Sequence, residues 1–387
     1  MTRLEPDELI AEASAQAGLD DFGADSFREG LSVYCASVAS EAQLNELGAT
    51  AVRANIVGSL VNRLRVVAWT SEHPDVVDER IEAPLVVIGM FRAGTTFLSY
   101  VLEQDRRNRA LLRWEAGDSV PPPTADSRRS DPRIEAARIG GDMLEQLNPR
   151  LRAIHHEEPD GPTECIAVMS QDFKSLSWEA ISNVPAYGEW LLGADQLSAY
   201  EYHRSVLRVL QSGGVRGRWT LKSPHHAIAL EALTSVYPDA RLVLLHRDPV
   251  ELCASVCSLI NTLSGTFSDA DHRAYIARHW LALLEETVHR IDRFRAAHPE
   301  HPIVDILYDD LVGDPIATIE TIYSALGDSP ADSLAPPARA AMARYVESHP
   351  KNTLGVHDYD LEEFALDRGE LTERFSGYVE RYHVPSH

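Results

Sequence analysis

Three cationic side chains stand where an α/β chain would gather them around an anion: Arg92 in Gly89-Met90-Phe91-Arg92-Ala93-Gly94-Thr95-Thr96, Lys222 in Leu221-Lys222-Ser223-Pro224-His225, and Arg247 in His246-Arg247-Asp248-Pro249. Each follows a short apolar run of the kind that forms a buried strand: Leu85 to Ile88, Trp219 to Leu221 and Leu242 to Leu245. The first run passes through a glycine loop into a segment with Leu98, Val101 and Leu102 at helical spacing. In that context backbone N–H groups and a helix N-terminus converge on an anion, and glycines let it approach closely. The expected chemistry is binding of a phosphate-bearing ligand; a purely structural strand-to-helix turn is the plainer alternative.

The spacing imitates a nucleoside-triphosphate loop, but Thr95 stands where G-x-x-x-x-G-K-[ST] requires lysine, and the cation has moved inside the loop as Arg92. Thr96 keeps a hydroxyl where magnesium would be ligated, so a kinase using Mg-ATP stays open as an alternative, as does a nucleotide binder without catalysis. At the third strand end, Asp248 suits an N-cap, Pro249 the first helical position and Glu251 the third residue of a capping box. That leaves Arg247 at the mouth of the sheet. Ser255, eight residues on, can face the same side from the second helical turn. The capping role argues against Asp248 as a magnesium-binding acid, and a surface arginine before a capped helix is the plain reading of Arg247.

The glycine loop resembles the 5′-phosphosulfate loop of the sulfotransferase family, written G-x-P-R-S-G-T-T, with Phe91 in place of proline and Ala93 in place of serine. Loss of the serine hydroxyl removes one ligand contact and leaves the backbone donors. Arg247 and Ser255 match the family's Arg and Ser, eight apart, that hold a 3′-phosphate. Further matches are His73-Pro74, Leu221-Lys222-Ser223-Pro224, Tyr308-Asp309-Asp310-Leu311, Asp314-Pro315 and the stretch from His357 to Phe364, so the resemblance covers nearly the whole chain after residue 80. It implies a donor, 3′-phosphoadenosine-5′-phosphosulfate (PAPS), left as 3′-phosphoadenosine-5′-phosphate (PAP), and no obligatory metal. It further implies that Arg92, Ala93, Gly94, Thr95 and Thr96 hold the 5′ side, Arg247 and Ser255 the 3′ side, and that Lys222 stabilises the leaving phosphate. Lys351 is an added candidate for the donor site. The nearest group resembles a bacterial branch acting on varied hydroxylated metabolites.

Sulfuryl transfer, like phosphoryl transfer, calls for in-line positioning, cations over the transferring oxygens and a base for the acceptor proton. Glu115, in Arg113-Trp114-Glu115, resembles a glutamate that tyrosylprotein sulfotransferases carry at a similar offset; pairing with a nearby arginine to fix the loop is its structural alternative. His225, three residues after Lys222, is a rival base. His155 and Glu164 are expected to border the acceptor pocket and follow as further rivals. The run His155-His156-Glu157-Glu158 lacks an H-x-x-x-H or cysteine partner, so no metal is expected.

These residues need a scaffold. The run from Trp219 to Leu245 reads strand, helix, turn, strand, a βαβ unit with parallel strands. A further buried strand is expected over Ile303 to Leu307, and helices from Asp248, over Asp271 to Ala297 and over Pro315 to Leu326. The whole predicts a P-loop-like α/β fold, a doubly wound parallel sheet flanked by helices, with ligands at the C-terminal strand ends. Residues 5 to 72 have helical periodicity and no visible chemistry, giving an expected helical N-terminal extension (1–80) before a catalytic domain (81–387). The middle third lacks strand signals, and its aromatic residues Phe173, Trp178, Tyr187 and Trp190 suit either core or acceptor pocket.

Composition limits the partners. A 387-residue chain with 44% hydrophobic and 25% charged residues buries a large core, and its formal charge of −23 repels nucleic acid and anionic membrane. An anionic ligand must therefore meet a local basic site, and lysine is scarce: Lys174, Lys222 and Lys351. Cys35, Cys165, Cys253 and Cys257 fit neither a disulfide framework nor a metal site, and Ile56 to Trp69 is cut by Arg63 and Arg65. A cytoplasmic location without stable membrane insertion is expected; oligomeric state is silent.

Overall fold

The computed structural model describes residues 4–154, 157–327, 333–350 and 360–386. His155, Lys351 and the start of the His357 stretch lie outside them.

Five strands form one parallel sheet in the order β2-β3-β1-β4-β5: β1 is Leu85–Gly89, β2 Asn108–Ala110, β3 Arg218–Lys222, β4 Arg241–His246 and β5 Ile303–Leu307. Side chains alternate across a strand, so one strand feeds two cores. Leu85, Val87, Val243 and Leu245 enter one hydrophobic cluster, and Val86, Ile88, Leu242 and Leu244 enter the other. Both faces are covered by helices, which is why β1 and β4 read as unbroken apolar runs rather than alternating ones.

The expected βαβ unit is present with one difference. Strands β3 and β4 are parallel, but β1 lies between them and pairs with both, with Val86 opposite Leu221 and Leu242. The chain leaves β1 toward β2 on one side and builds β4 and β5 on the other, so the loops after β1, β3 and β4 are neighbours at the point where strand order reverses. Strand β2 has no apolar signal. Asn108, Arg109 and Ala110 are all buried, and the Arg109 guanidinium lies 3.9 Å from the Trp219 ring centroid.

The N-terminal segment forms helices Pro6–Ala17, Phe27–Glu41 and Glu46–Glu72. It shares a core with the sheet, since Leu9, Phe27, Leu31 and Leu60 belong to the cluster that holds Leu85 and Val243. Tyr34 packs on Trp178 and Tyr187 of the middle third, with ring centroids 4.7 and 5.4 Å away. A buried ion pair completes the junction: Arg63 Nη1 donates to Asp172 Oδ1 at 2.9 Å, both side chains nearly inaccessible. Phe173, Trp178 and Tyr187 are thus core residues, and Trp190 packs against them.

All four cysteines are free and buried. Burial pushes the Cys35, Cys165 and Cys257 thiols up to about 12 and Cys253 further, so none is a thiolate near neutrality. Among the described residues no helix is long and apolar enough to cross a membrane.

Candidate active site

The glycine loop leaves β1 at Gly89 and enters the helix Thr95–Leu102. Gly94 is its N-cap with φ of 93°, a left-handed conformation that disfavours other residues. A Cβ there would lie 2.9 Å from Tyr308 Cδ2, so backbone and ring meet directly. Arg92 also has positive φ, 71°, which turns its side chain out of the loop. Phe91, in the place of the family's proline, anchors the loop by its edge-to-face contact with Trp280 at 5.0 Å. Ala93 is fully buried and its N–H closes a turn on the Met90 carbonyl at 3.2 Å, so the backbone donors left to an anion are those of the helix start beyond it.

Lys222 ends β3 beside this helix. Its Nζ donates to Thr96 Oγ1 at 3.0 Å and to Glu164 Oε1 at 3.3 Å, and the residue is 1% exposed. Glu164 is held there by main chain, because the next residue, Cys165, donates its N–H to the Lys222 carbonyl at 2.9 Å. Loop, strand end and middle third therefore meet on one ammonium. Sequence spacing could not show this, because 58 residues separate Glu164 from Lys222.

Arg247 and Ser255 come to the other side of the same loop. Asp248 caps the helix Pro249–Gly265 by accepting the Val250 N–H at 2.8 Å. Glu251, expected to complete a capping box, instead receives Arg247 Nε and Nη2 at 3.0 and 2.6 Å; a full charge one turn along the helix outcompetes a backbone amide. Arg247 Nη1 donates to the Arg92 carbonyl at 2.9 Å, and its guanidinium stacks 4.3 Å from the Tyr308 ring centroid. Arg92 in turn donates from Nε to Ser255 Oγ at 3.1 Å and from Nη1 to the Ile154 carbonyl at 2.8 Å. Beside the Thr96–Lys222–Glu164 group, Arg92, Arg247 and Ser255 so form a basic, hydrogen-bonded cluster in a strongly acidic chain. Tyr308, quoted in the sequence only as part of a motif, is a wall of this cluster.

Two expected bases are engaged elsewhere. Glu115 is fully buried: Oε1 accepts from Arg109 Nη2 at 3.2 Å and Arg128 Nε at 3.0 Å, and Oε2 from the Leu112 N–H at 3.1 Å. Paired with two arginines and an amide, it stabilises the segment after β2, which is the structural alternative its sequence left open. His225 is also fully buried, with Nε2 3.2 Å from Gln196 Oε1. Burial, with the Arg290 charge adding to it, pushes the imidazole down to about 3, leaving a weak base without solvent contact. Of the other two, His155 lies outside the described residues, and Glu164 has its side chain 15% exposed beside Lys222. Among the described residues no group of three or more His, Cys, Asp or Glu could hold a metal ion.

Comparison with known proteins agrees with this geometry. A sulfotransferase family model matches residues 84–331. The crystal structure of sulfotransferase STF9 from Mycobacterium avium is 32% identical, with TM-score 0.89 over 99% of this chain and 97% of that one. That of sulfotransferase STF1 from Mycobacterium tuberculosis is 31% identical, with TM-score 0.86 over 97% and 100%. A curated relative from Mycobacterium bovis, named omega-hydroxy-beta-dihydromenaquinone-9 sulfotransferase Stf3, is 22% identical over 318 residues, 79% of this chain and 76% of its own. The matched segment runs from the start of β1 past the last strand and includes Arg92, Lys222, Arg247 and Ser255, so the chain belongs to the sulfotransferase family and is an enzyme of sulfuryl transfer.

Proposed function

We propose that this sulfotransferase takes its sulfuryl group from PAPS and delivers it to the hydroxyl of a small-molecule acceptor, with Lys222 and Glu164 side by side next to the reacting atoms. The observation that carries the reading is the Thr96–Lys222–Glu164 contact, because it joins a cation at the phosphate loop to a carboxylate that can take a proton. In the transfer, the acceptor oxygen bonds to sulfur as the bond from sulfur to the bridging oxygen breaks. The electron pair stays on the 5′-phosphate, where the Lys222 ammonium stabilises the growing charge, and the hydroxyl proton passes to Glu164. Arg92 and the N–H groups from Gly94 to Thr96 hold the 5′-phosphosulfate, and Arg247 with Ser255 holds the 3′-phosphate.

The Thr96 hydroxyl accepts from Lys222, which disfavours it as a magnesium ligand and with it the Mg-ATP kinase. The curated relative's name makes a hydroxylated menaquinone the acceptor to assay first. A cytoplasmic enzyme is our reading of location.

The test is sulfation with labelled PAPS on wild type, Lys222→Ala and Glu164→Gln. Each variant is expected to lose about 10²–10³ in kcat while retaining PAP binding. Unchanged kcat in Glu164→Gln removes it as the base, and a preference for Mg-ATP over PAP in calorimetric titration overturns the donor.

A further inference from the structure

His246, the last residue of β4 and the neighbour of Arg247, is 1% exposed and bonded at both ring nitrogens. Nε2 lies 2.8 Å from Asp305 Oδ1 on β5, and Nδ1 lies 3.0 Å from the hydroxyl of Tyr378, on the C-terminal helix Ser376–Tyr382. A carboxylate only accepts, so in the neutral ring Nε2 carries the hydrogen and Nδ1 accepts from the Tyr378 O–H. The Tyr378 oxygen is faced by the backbone N–H of Arg247; burial pushes the phenol well up and that N–H opposes it in part.

The helix bearing Tyr378 is fastened independently to the long helix Arg273–Ala297. Tyr382 donates to Asp292 Oδ1 at 2.7 Å and stacks on the His246 ring at 4.3 Å, and in the preceding short helix, Arg368–Arg374, Arg374 pairs with Glu285 at 2.6 Å. Asp305 is in turn held by Arg295 at 3.0 Å. The chain Asp305–His246–Tyr378 thus joins an edge strand and the C-terminal helix at the residue before Arg247.

We infer that Tyr378 and His246 are positioning residues for recognition of the donor's 3′-phosphate: they fix the backbone from which the Arg247 guanidinium is aimed between Tyr308 and the Arg92 carbonyl. This rests on the reading that Arg247 holds that phosphate. The two readings are separated by measuring, by calorimetry, the ratio of Kd values for adenosine 5′-monophosphate and PAP, which reports the 3′-phosphate alone. Tyr378→Phe keeps the ring and its packing and removes only the hydroxyl. It is expected to weaken PAP about fivefold, with monophosphate binding unchanged and donor KM raised at constant kcat. Asp305→Ala, on the exposed edge strand, should shift the ratio the same way even if Tyr378→Phe folds poorly. Arg247→Ala should abolish the preference for PAP. If Arg247→Ala abolishes it while Tyr378→Phe and Asp305→Ala keep it, or weaken both nucleotides equally, the positioning role is overturned; if Arg247→Ala itself keeps it, the 3′-phosphate reading falls instead.

Discussion

Lys222 and the buried histidines His203, His225 and His226 illustrate how burial assigns opposite roles to titratable groups. Lys222 is buried yet paired with a carboxylate and a hydroxyl, which keeps an ammonium tolerable away from water. His225 and His203 are buried without a charge to offset theirs, and desolvation holds both down to about 3, with His226 also well below its ordinary value. The unfolded chain protonates such rings near 6.5, while the folded protein keeps them neutral. Their contribution is therefore present above about pH 6.5 and is lost as pH falls toward 3, by up to about 1.4 kcal/mol per pH unit for each ring. Urea unfolding at pH 7, 6 and 5 should show stability falling steeply, and His225→Gln should flatten that dependence by one proton. A stability independent of pH across this range would contradict neutral burial of the three rings.

At the scale of elements, the site depends on how the glycine loop is clamped between β1 and the segment Tyr308–Gly313. Gly94 combines a left-handed backbone with Tyr308 at van der Waals distance, so alanine there is strained twice. Gly94→Ala is expected to cost about 1–3 kcal/mol and to weaken PAP at least as much as any single side-chain change in the loop. Thermal melting together with PAP titration checks it; a variant with wild-type melting and affinity would mean that the loop shape is not set at this residue. Strands β1 and β4 were legible as apolar runs placed between turn signals; β5 was also found, but it is an edge strand with Asp305 exposed and only Ile306 buried, not the buried strand expected, because among the described residues nothing pairs beyond it. β2 was not, since it consists of Asn108, Arg109 and Ala110. It pairs because Arg109 finds Glu115 and the face of Trp219, partners that local sequence cannot announce.

At the scale of the whole molecule, the N-terminal helices are tied to the middle third by a buried polar junction. Arg63 reaches from the helix Glu46–Glu72 to Asp172 and the Phe22 carbonyl, and Asp172 also accepts from Ser26 at 2.5 Å and Ser198 at 2.7 Å. Removing one partner strands a buried charge, so Asp172→Ala should lower the unfolding free energy by about 3–5 kcal/mol, read by urea denaturation with tryptophan fluorescence. Loss of less than about 1 kcal/mol would mean that water reaches the junction. What the sequence determined by itself was local: the glycine loop, the capped helix after Arg247, the apolar strands and the cations at their ends, because each is specified by residues within a few positions of one another. Tertiary structure decided the rest. The order of strands set Lys222 beside Thr96, and the path of the middle third brought Glu164 to that lysine. Burial withdrew Glu115 and His225 into ion pairing and neutrality, since desolvation and long-range partners act between residues that the sequence keeps far apart.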